Sequence, residues 1–376
     1  MFMCENNPLD KICLAYEMLE DDLSKYLFFL QIMNDVHETM DSTFQMIRLM
    51  AGNTPRPGTY WADIFDKIHK DNKKIILYGT GKAAGLFAKL VWNSARDFDA
   101  FCSRGAERYE NGFMGKEVYD PTYVCKNADE YYILISSNAF YEEIYNSLVE
   151  TGFPEDHILS FTKRHDQVTK VIEKRYFEFI QFFKQDTAFV DAGCYDCDDS
   201  IKFTNMQKGK YSKILAFEPD KRNFDICKKV SYQISIPHFE LRKCGLGEKN
   251  GTSFFEANGD PSSRIIEIAE SDVQKSDDLV DTVSIVSLDE VVRNEKIGFI
   301  KMDIEGAELA ALKGAAQTIF RDRPLLAISV YHKKGDLLQI LSYLRELVPE
   351  YRFYIRHYSI SQDDTVLYAI KKDTKK

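Results

Sequence analysis

Apolar residues in the first fifty positions recur at helical spacing: Leu23, Leu27 and Leu30 share one face, and Leu9 to Met50 holds neither glycine nor proline. The pattern predicts two or more helices. The cluster Gly52-Asn53-Thr54-Pro55-Arg56-Pro57-Gly58 breaks helices and strands alike, so a linker is placed there and the helical segment is set at residues 1–58. From Lys74 the pattern changes. Ile75-Ile76-Leu77-Tyr78 reads as a strand, Gly79-Thr80-Gly81 as a turn, and Lys82 to Trp92 as a helix. Further strands are expected at Ala100-Phe101-Cys102 and Tyr132-Ile133-Leu134-Ile135, with a helix from Tyr141 to Glu150, giving a small parallel, Rossmann-like α/β domain over residues 70–165. Thr162 to Lys184 is charged and helical in pattern and is read as the bridge into a larger unit over residues 166–376.

That unit opens on Phe189-Val190-Asp191-Ala192-Gly193 and continues through apolar runs at Ile214–Phe217, Val283–Val286, Phe299–Met302 and Leu325–Val330, several separated by helical segments. Phe353-Tyr354-Ile355 and Thr365 to Ile370 are joined by a polar turn rather than a helix. The expected fold is therefore α/β, a mostly parallel sheet closed by a C-terminal antiparallel hairpin. This is the layout of class I methyltransferases, though layout alone does not establish chemistry.

Composition narrows the picture. The 376 residues, 44% hydrophobic and 29% charged, suffice for sizeable cores in two or three domains. With 59 acidic against 49 basic side chains, wrapping of a nucleic-acid backbone is not expected. Met1 to Asp10 lacks the basic and apolar parts of a signal peptide, and Tyr26 to Met33 is too short to span a bilayer, so a soluble, cytoplasmic protein is expected. Eight scattered cysteines fit a reducing compartment.

Candidate chemistry concentrates at strand ends. Asp191-Ala192-Gly193 ends one strand, and Glu218-Pro219-Asp220 ends the next with an acid, the offset a nucleoside site uses: glycine lets the chain turn against a ligand, and a carboxylate accepts both ribose hydroxyls. Asp303-Ile304-Glu305-Gly306-Ala307-Glu308 places acids at and beyond another strand end, in the crevice where open α/β sheets bind ligands. Glu305 and Glu308 would also suit the first turn of a helix; that explanation does not reach Asp303. His332 follows the strand Leu325–Val330 and is expected at the same crevice as a base near neutrality, its basicity raised by adjacent carboxylates. His357, between Tyr354 and Tyr358, is read as structural or substrate-lining.

These residues resemble the FkbM family of S-adenosylmethionine-dependent methyltransferases from Phe189 to Ile370. The block Ile300-Lys301-Met302-Asp303-Ile304-Glu305-Gly306-Ala307-Glu308 with Leu312-Lys313-Gly314-Ala315 carries most of the likeness. Ala216-Phe217-Glu218-Pro219, Ser287-Leu288-Asp289-Glu290, Tyr331-His332 and Arg356-His357-Tyr358 support it. The resemblance implies S-adenosylmethionine as cofactor, bound across the first two strand ends with Asp191 and Gly193 lining the methionine side and Glu218 holding the ribose; Tyr195 and Pro219, beside them in the chain, are counted as further donor-binding candidates. It also implies that Asp303 and Glu305 face the transferred methyl or the acceptor; His332, placed at the same crevice by its own strand, is the third expected catalytic residue.

One position departs: where the family usually has a second glycine, this chain has Cys197, whose side chain would crowd a donor. Cys194 and Cys197 form a Cys-x-x-Cys, but Cys227 and Cys244 make no second pair, so neither a metal nor a required disulfide is expected and two small buried thiols should fill the turn. Gly79, Gly81 and Gly85 resemble a dinucleotide turn, although the second strand ends in Ser103-Arg104 without a ribose-binding acid; Arg104 is the group that would meet a phosphate. The leading expectation is an O-methyltransferase acting on a sugar or glycan-precursor hydroxyl, with a small-molecule or saccharide acceptor, no nucleic-acid partner, no membrane span, and homo-oligomerisation left open. The competing one is a non-catalytic nucleotide- or nucleotide-sugar-binding scaffold with a degenerate methyltransferase domain.

Overall fold

The computed structural model describes residues 8–37, 39–50, 60–93, 96–137, 140–160, 170–256, 264–266, 280–359 and 363–371. They fall into two compact units, one of Met1–Phe28, Lys174–His357 and Asp363–Lys376, the other of Phe29–Glu173 and Tyr358–Gln362. The helical segment expected over residues 1–58 is thus divided at Phe28. Its helices are α1 (Pro8–Glu17), α2 (Asp22–His37) and α3 (Met40–Met50), and α4 (Tyr60–Lys70) follows. The Gly52–Gly58 linker lies outside the described residues.

In the second unit, β1 (Lys74–Tyr78), α5 (Lys82–Asn93), β2 (Ala100–Cys102), β3 (Val118–Tyr119), α6 (Pro121–Lys126), β4 (Tyr131–Ile135), α7 (Tyr141–Glu150) and β5 (Ile158–Ser160) alternate as expected. The strands are all parallel in the order β3-β2-β1-β4-β5. Ile75, Ile76, Leu77 and Tyr78 are buried because helices cover parallel sheets on both faces. Gly79 has φ 126, and an added Cβ would lie 2.6 Å from Ser136 Oγ, so glycine is required there. The Arg104 guanidinium is paired with Glu143 at the surface.

The first unit is built on a seven-stranded sheet. Its strands include β6 (Ala188–Ala192), then after α8 (Asp198–Gln207) β7 (Ile214–Phe217), and after α9 (Lys221–Ile234) β8 (Phe239–Arg242). β9 (Gly245–Leu246), β10 (Gly251–Glu256), β11 (Arg264–Ile266) and β12 (Val280–Val286) follow, then α10 (Leu288–Val291), β13 (Ile297–Met302), α11 (Glu308–Lys313), α12 (Ala316–Asp322), β14 (Leu325–Ser329), α13 (Asp336–Leu347), β15 (Tyr351–His357) and β16 (Thr365–Lys371). The order is β15-β16-β14-β13-β6-β7-β8. β16 is antiparallel to both β14 and β15, the expected C-terminal hairpin, and the remaining pairs are parallel. This is the class I methyltransferase arrangement. The order reverses at β6, whose neighbours are β13 and β7, and ligands of such sheets bind outside the carboxyl ends at that point.

Two expectations change. The run at Val283–Val286 belongs to a separate four-stranded sheet, β11-β10-β12-β9, because β12 pairs antiparallel with β10 rather than joining the main sheet. The stretch Thr162 to Lys184 is not a long helix in its described part: residues 173–179 are turns, followed by a short 3-10 turn at Ile180–Phe182, and Tyr176 takes φ 64.

Candidate active site

Strand register assembles the centre of the site. β6 and β13 are buried along their whole length, yet each carries one charge, and the pairing sets Lys301 opposite Asp191. Cross-strand partners share a face, so the two side chains meet: Lys301 Nζ lies 3.1 Å from Asp191 Oδ1 and 3.3 Å from Asp199 Oδ2, and donates to the Gly193 carbonyl at 2.7 Å. Ser200 Oγ donates to the other Asp191 oxygen at 2.7 Å. Burial works against the ammonium, but the Asp191, Asp199 and Asp303 charges hold Lys301 above its usual range. Asp191, expected to line the methionine side of a donor, is fully buried and spends both oxygens on Lys301 and Ser200. Its role here is to fix the lysine that grips the glycine loop.

Gly193 stands at φ 75, and an added Cβ would collide with the Asp303 carbonyl, so only glycine allows the ends of β6 and β13 to approach this closely. One strand over, Glu218 Oε2 accepts the Tyr195 backbone N–H at 3.0 Å and Oε1 accepts that of Asp220 at 2.9 Å. Burial pushes this carboxyl up to about 7 despite those two bonds. Each oxygen keeps a further acceptor position, the number a vicinal diol requires. Asp220 instead caps α9, accepting from Arg222 N and Asn223 N at 2.7 and 3.2 Å. Pro219 joins these two acids and is partly buried.

The third part lies beyond β13 and β14. Tyr176 donates to Asp303 Oδ2 at 2.7 Å and Tyr331 to Oδ1 at 3.2 Å. His332 Nε2 lies 3.3 Å from Asp303 Oδ1 and 3.6 Å from Glu305 Oε1, while Nδ1 lies 3.0 Å from Glu308 Oε1. The ring nitrogens are buried without an aligned hydrogen bond, so these are contacts of charge. Burial disfavours the charged ring, but the close carboxylates of Glu305 and Glu308, then the Glu308 and Asp303 charges, push His332 up to about 11. For Asp303, burial is outweighed by His332, Lys301 and the Tyr176 hydroxyl, which hold its carboxyl below the ordinary range. Glu308 also accepts the Ile304 N–H at 2.9 Å, and Glu305 sits at φ 55, a strained position for a residue with a β-carbon.

The site thus brings Asp303, Glu305 and His332 together and surrounds the His332 ring with carboxylates. The three carboxylates around the ring favour its protonated form, which makes it the cation that they share. Asp303, Glu308 and His332 also offer atoms within 4.8 Å of one another, as a metal site would, but a metal there would have to displace the proton that already balances them. A pH prediction follows from the sign of the shift. Because the folded value lies above the ordinary 6.5, the stabilisation is complete below about 6.5 and is lost as pH rises toward about 11. Calorimetric melting should show a falling midpoint across that window, flattened in His332→Gln; an unchanged decline in the variant would contradict the assignment.

The sequence reading passed over three members. Lys301 had a signal, a lone charge inside the apolar run Ile297–Met302. Tyr176 and Arg175 had none, since a turn delivers them from outside the sheet; Arg175 pairs with Asp364 at 2.6 Å. His357 is fully buried with Nδ1 2.9 Å from Thr365 Oγ1, in keeping with a structural role.

The cysteines correct the sequence reading. Cys227, 30 residues on, is bonded to Cys197, and Cys194 Sγ lies 3.6 Å from Cys227 Sγ. Helix α9 brings the third sulfur back under the loop, a contact that sequence spacing does not reveal. Cys197 is fully buried among Cys194, Ala216 and Cys227, which places its side chain inside this apolar cluster.

The fold is that of the class I methyltransferases. Residues 191–353 match the family model described as the methyltransferase FkbM domain, and the chain is a methyltransferase carrying that domain. A 2-O-methyltransferase, NoeI of Sinorhizobium fredii, is 25% identical over 178 residues, 44% of this chain and 68% of the relative. The crystal structure of methyltransferase FkbM from Methylobacillus flagellatus KT matches with a TM-score of 0.50 at 18% identity, covering 96% of this chain and 100% of that one, a likeness of fold. An rRNA methylase from Streptococcus thermophilus matches with a TM-score of 0.33 at 14% identity over 54% of this chain and 92% of that one.

Proposed function

We propose that the C-terminal unit transfers a methyl group from S-adenosylmethionine to a hydroxyl of a saccharide or other small polyhydroxylated acceptor, with Asp303 receiving the proton. The observation that carries this reading is the placement of Asp303, negatively charged and fixed by Tyr176, Tyr331 and His332, against the glycine turn at Gly193. When bound, S-adenosylmethionine supplies an electrophilic methyl on a positively charged sulfur. Glu218 takes the ribose diol on its free acceptor positions, and Gly193 and Tyr195 give the backbone surface along which the methionine part lies. The packing of the Cys197 side chain among Cys194, Ala216 and Cys227 supports this reading of the loop.

Proton removal does not need a strong base. The acceptor hydroxyl becomes acidic only as its oxygen bonds to the methyl carbon, so a carboxylate below its ordinary range still takes the proton from the resulting oxonium. Asp303 performs this step, Glu305 orients the acceptor, and His332 is a positioning residue that keeps both acids charged and in place. The relative named a 2-O-methyltransferase supports a hydroxyl acceptor.

Calorimetric titration with S-adenosylmethionine tests the donor half. Wild type should bind one equivalent, and Glu218→Ala should lose about 1.5–3 kcal/mol, the range for hydrogen bonds to a charged group. Equal affinity in a folded variant would remove Glu218 from the site.

A further inference from the structure

Cys194, Cys197 and Cys227 are each at most 3% exposed and lie together with Ala216, flanked by Ile201, Phe239 and Leu241. Cys227 has two sulfur neighbours: Cys197, to which it is bonded, and Cys194 at 3.6 Å. Those neighbours bracket Tyr195, whose N–H bonds Glu218, and the Cys197 N–H closes the turn onto the Cys194 carbonyl at 2.7 Å. Cys197 also takes φ 70, the left-handed region that is strained for a residue with a β-carbon. A covalent link to α9 explains how a cysteine is held there.

We propose that Cys194, Cys197 and Cys227 form a thiol–disulfide exchange site in which Cys227 is the shared partner, bonded to Cys197 at rest and transferable to Cys194. In the exchange, the Cys194 thiolate attacks Cys227 Sγ, the Cys227–Cys197 bond breaks, and its electron pair leaves on Cys197, which takes up the proton Cys194 released. Nothing is oxidised or reduced overall. Burial, then the Asp191 and Glu218 charges, push the Cys194 thiol well above its usual range, so exchange is slow while the loop stays closed, within the minutes to hours of uncatalysed rearrangement. Opening the tether outright takes a dithiol reductant, which gives two electrons and two protons and leaves as its cyclic disulfide. Moving the bond shifts the tether from the start of α8 to the other side of Tyr195, and so alters the backbone that holds Glu218. This consequence rests on the proposed reading of the loop as the donor site.

Peptide mapping of the full chain tests the site without reference to the donor. Protein purified without thiols or chelators is treated with glutathione disulfide, which takes two electrons from each thiol pair and leaves as two glutathiones. Free thiols are then alkylated in denaturant. Wild type and Cys194→Ser should yield the Cys197–Cys227 link, and Cys197→Ser should yield Cys194–Cys227. A folded Cys197→Ser with both remaining thiols alkylated would overturn the proposal, as would one metal ion per chain with all three cysteines reduced. Should Cys197→Ser fail to fold, wild type held at alkaline pH without reductant must develop the Cys194–Cys227 peptide, and its absence counts against exchange. S-adenosylmethionine titration of the oxidised and dithiothreitol-reduced wild type separates the two readings. Weaker binding after reduction supports the link between tether and donor. Binding in neither state refutes the donor reading, and the peptide map alone then decides the exchange site.

Discussion

Asp303→Asn should lower methyl-transfer turnover by about 10²–10⁴-fold, the range for loss of a proton-transferring group, with affinity for the donor little changed. The carboxamide keeps the shape of the side chain but neither its charge nor its capacity to take the acceptor's proton. It also sets an amide N–H₂ against one of two phenols, Tyr176 and Tyr331, that both donate to the native carboxylate. Turnover with the true acceptor is measured beside donor titration, so that loss of chemistry is separated from loss of binding. His332→Gln should cost activity less, since its role is to position Asp303. Full activity in Asp303→Asn would mean that the proton leaves to water and that Asp303 serves only the structure.

The second large effect is on stability. Lys301→Met should cost about 3–5 kcal/mol, the range for removing one partner of a buried ion pair. The lysine is 2% exposed and Asp191 fully buried, so neither charge has water to fall back on. Removing the ammonium also leaves the Gly193 carbonyl without its donor and Asp199 without its nearest cation. Lys301→Met combined with Asp191→Asn should lose less than the sum of the single changes, because the coupled charges disappear together. Urea unfolding of the full chain gives these values. A loss of only about 1 kcal/mol in Lys301→Met, the worth of an exposed pair, would show that the pair is solvated.

The sheet was readable because buried parallel strands are apolar along their length, and Ile214–Phe217 and Leu325–Ser329 announce themselves in this way. The second sheet was not, because β12 carries polar residues and owes its place to antiparallel pairing with β10. At the site, strand ends located Glu218, Asp303 and His332 from sequence alone. What they do once assembled depends on neighbours from distant segments. Tyr176 lies 127 residues from Asp303, and Lys301 lies 110 residues from Asp191. Spacing therefore placed His332 beside Asp303, but only the carboxylates gathered around the ring show which way its basicity is shifted. In the same way, the Cys-x-x-Cys was visible and its third member on α9 was not.

The most direct measurement is a crystal structure of the protein with S-adenosylhomocysteine. The ribose hydroxyls should lie on the Glu218 carboxylate, with the homocysteine chain along Gly193 and Tyr195 and the sulfur turned toward Asp303 and Glu305. A ligand bound away from the carboxyl ends of β6 and β7, or one that leaves Glu218 without contact, would contradict the account.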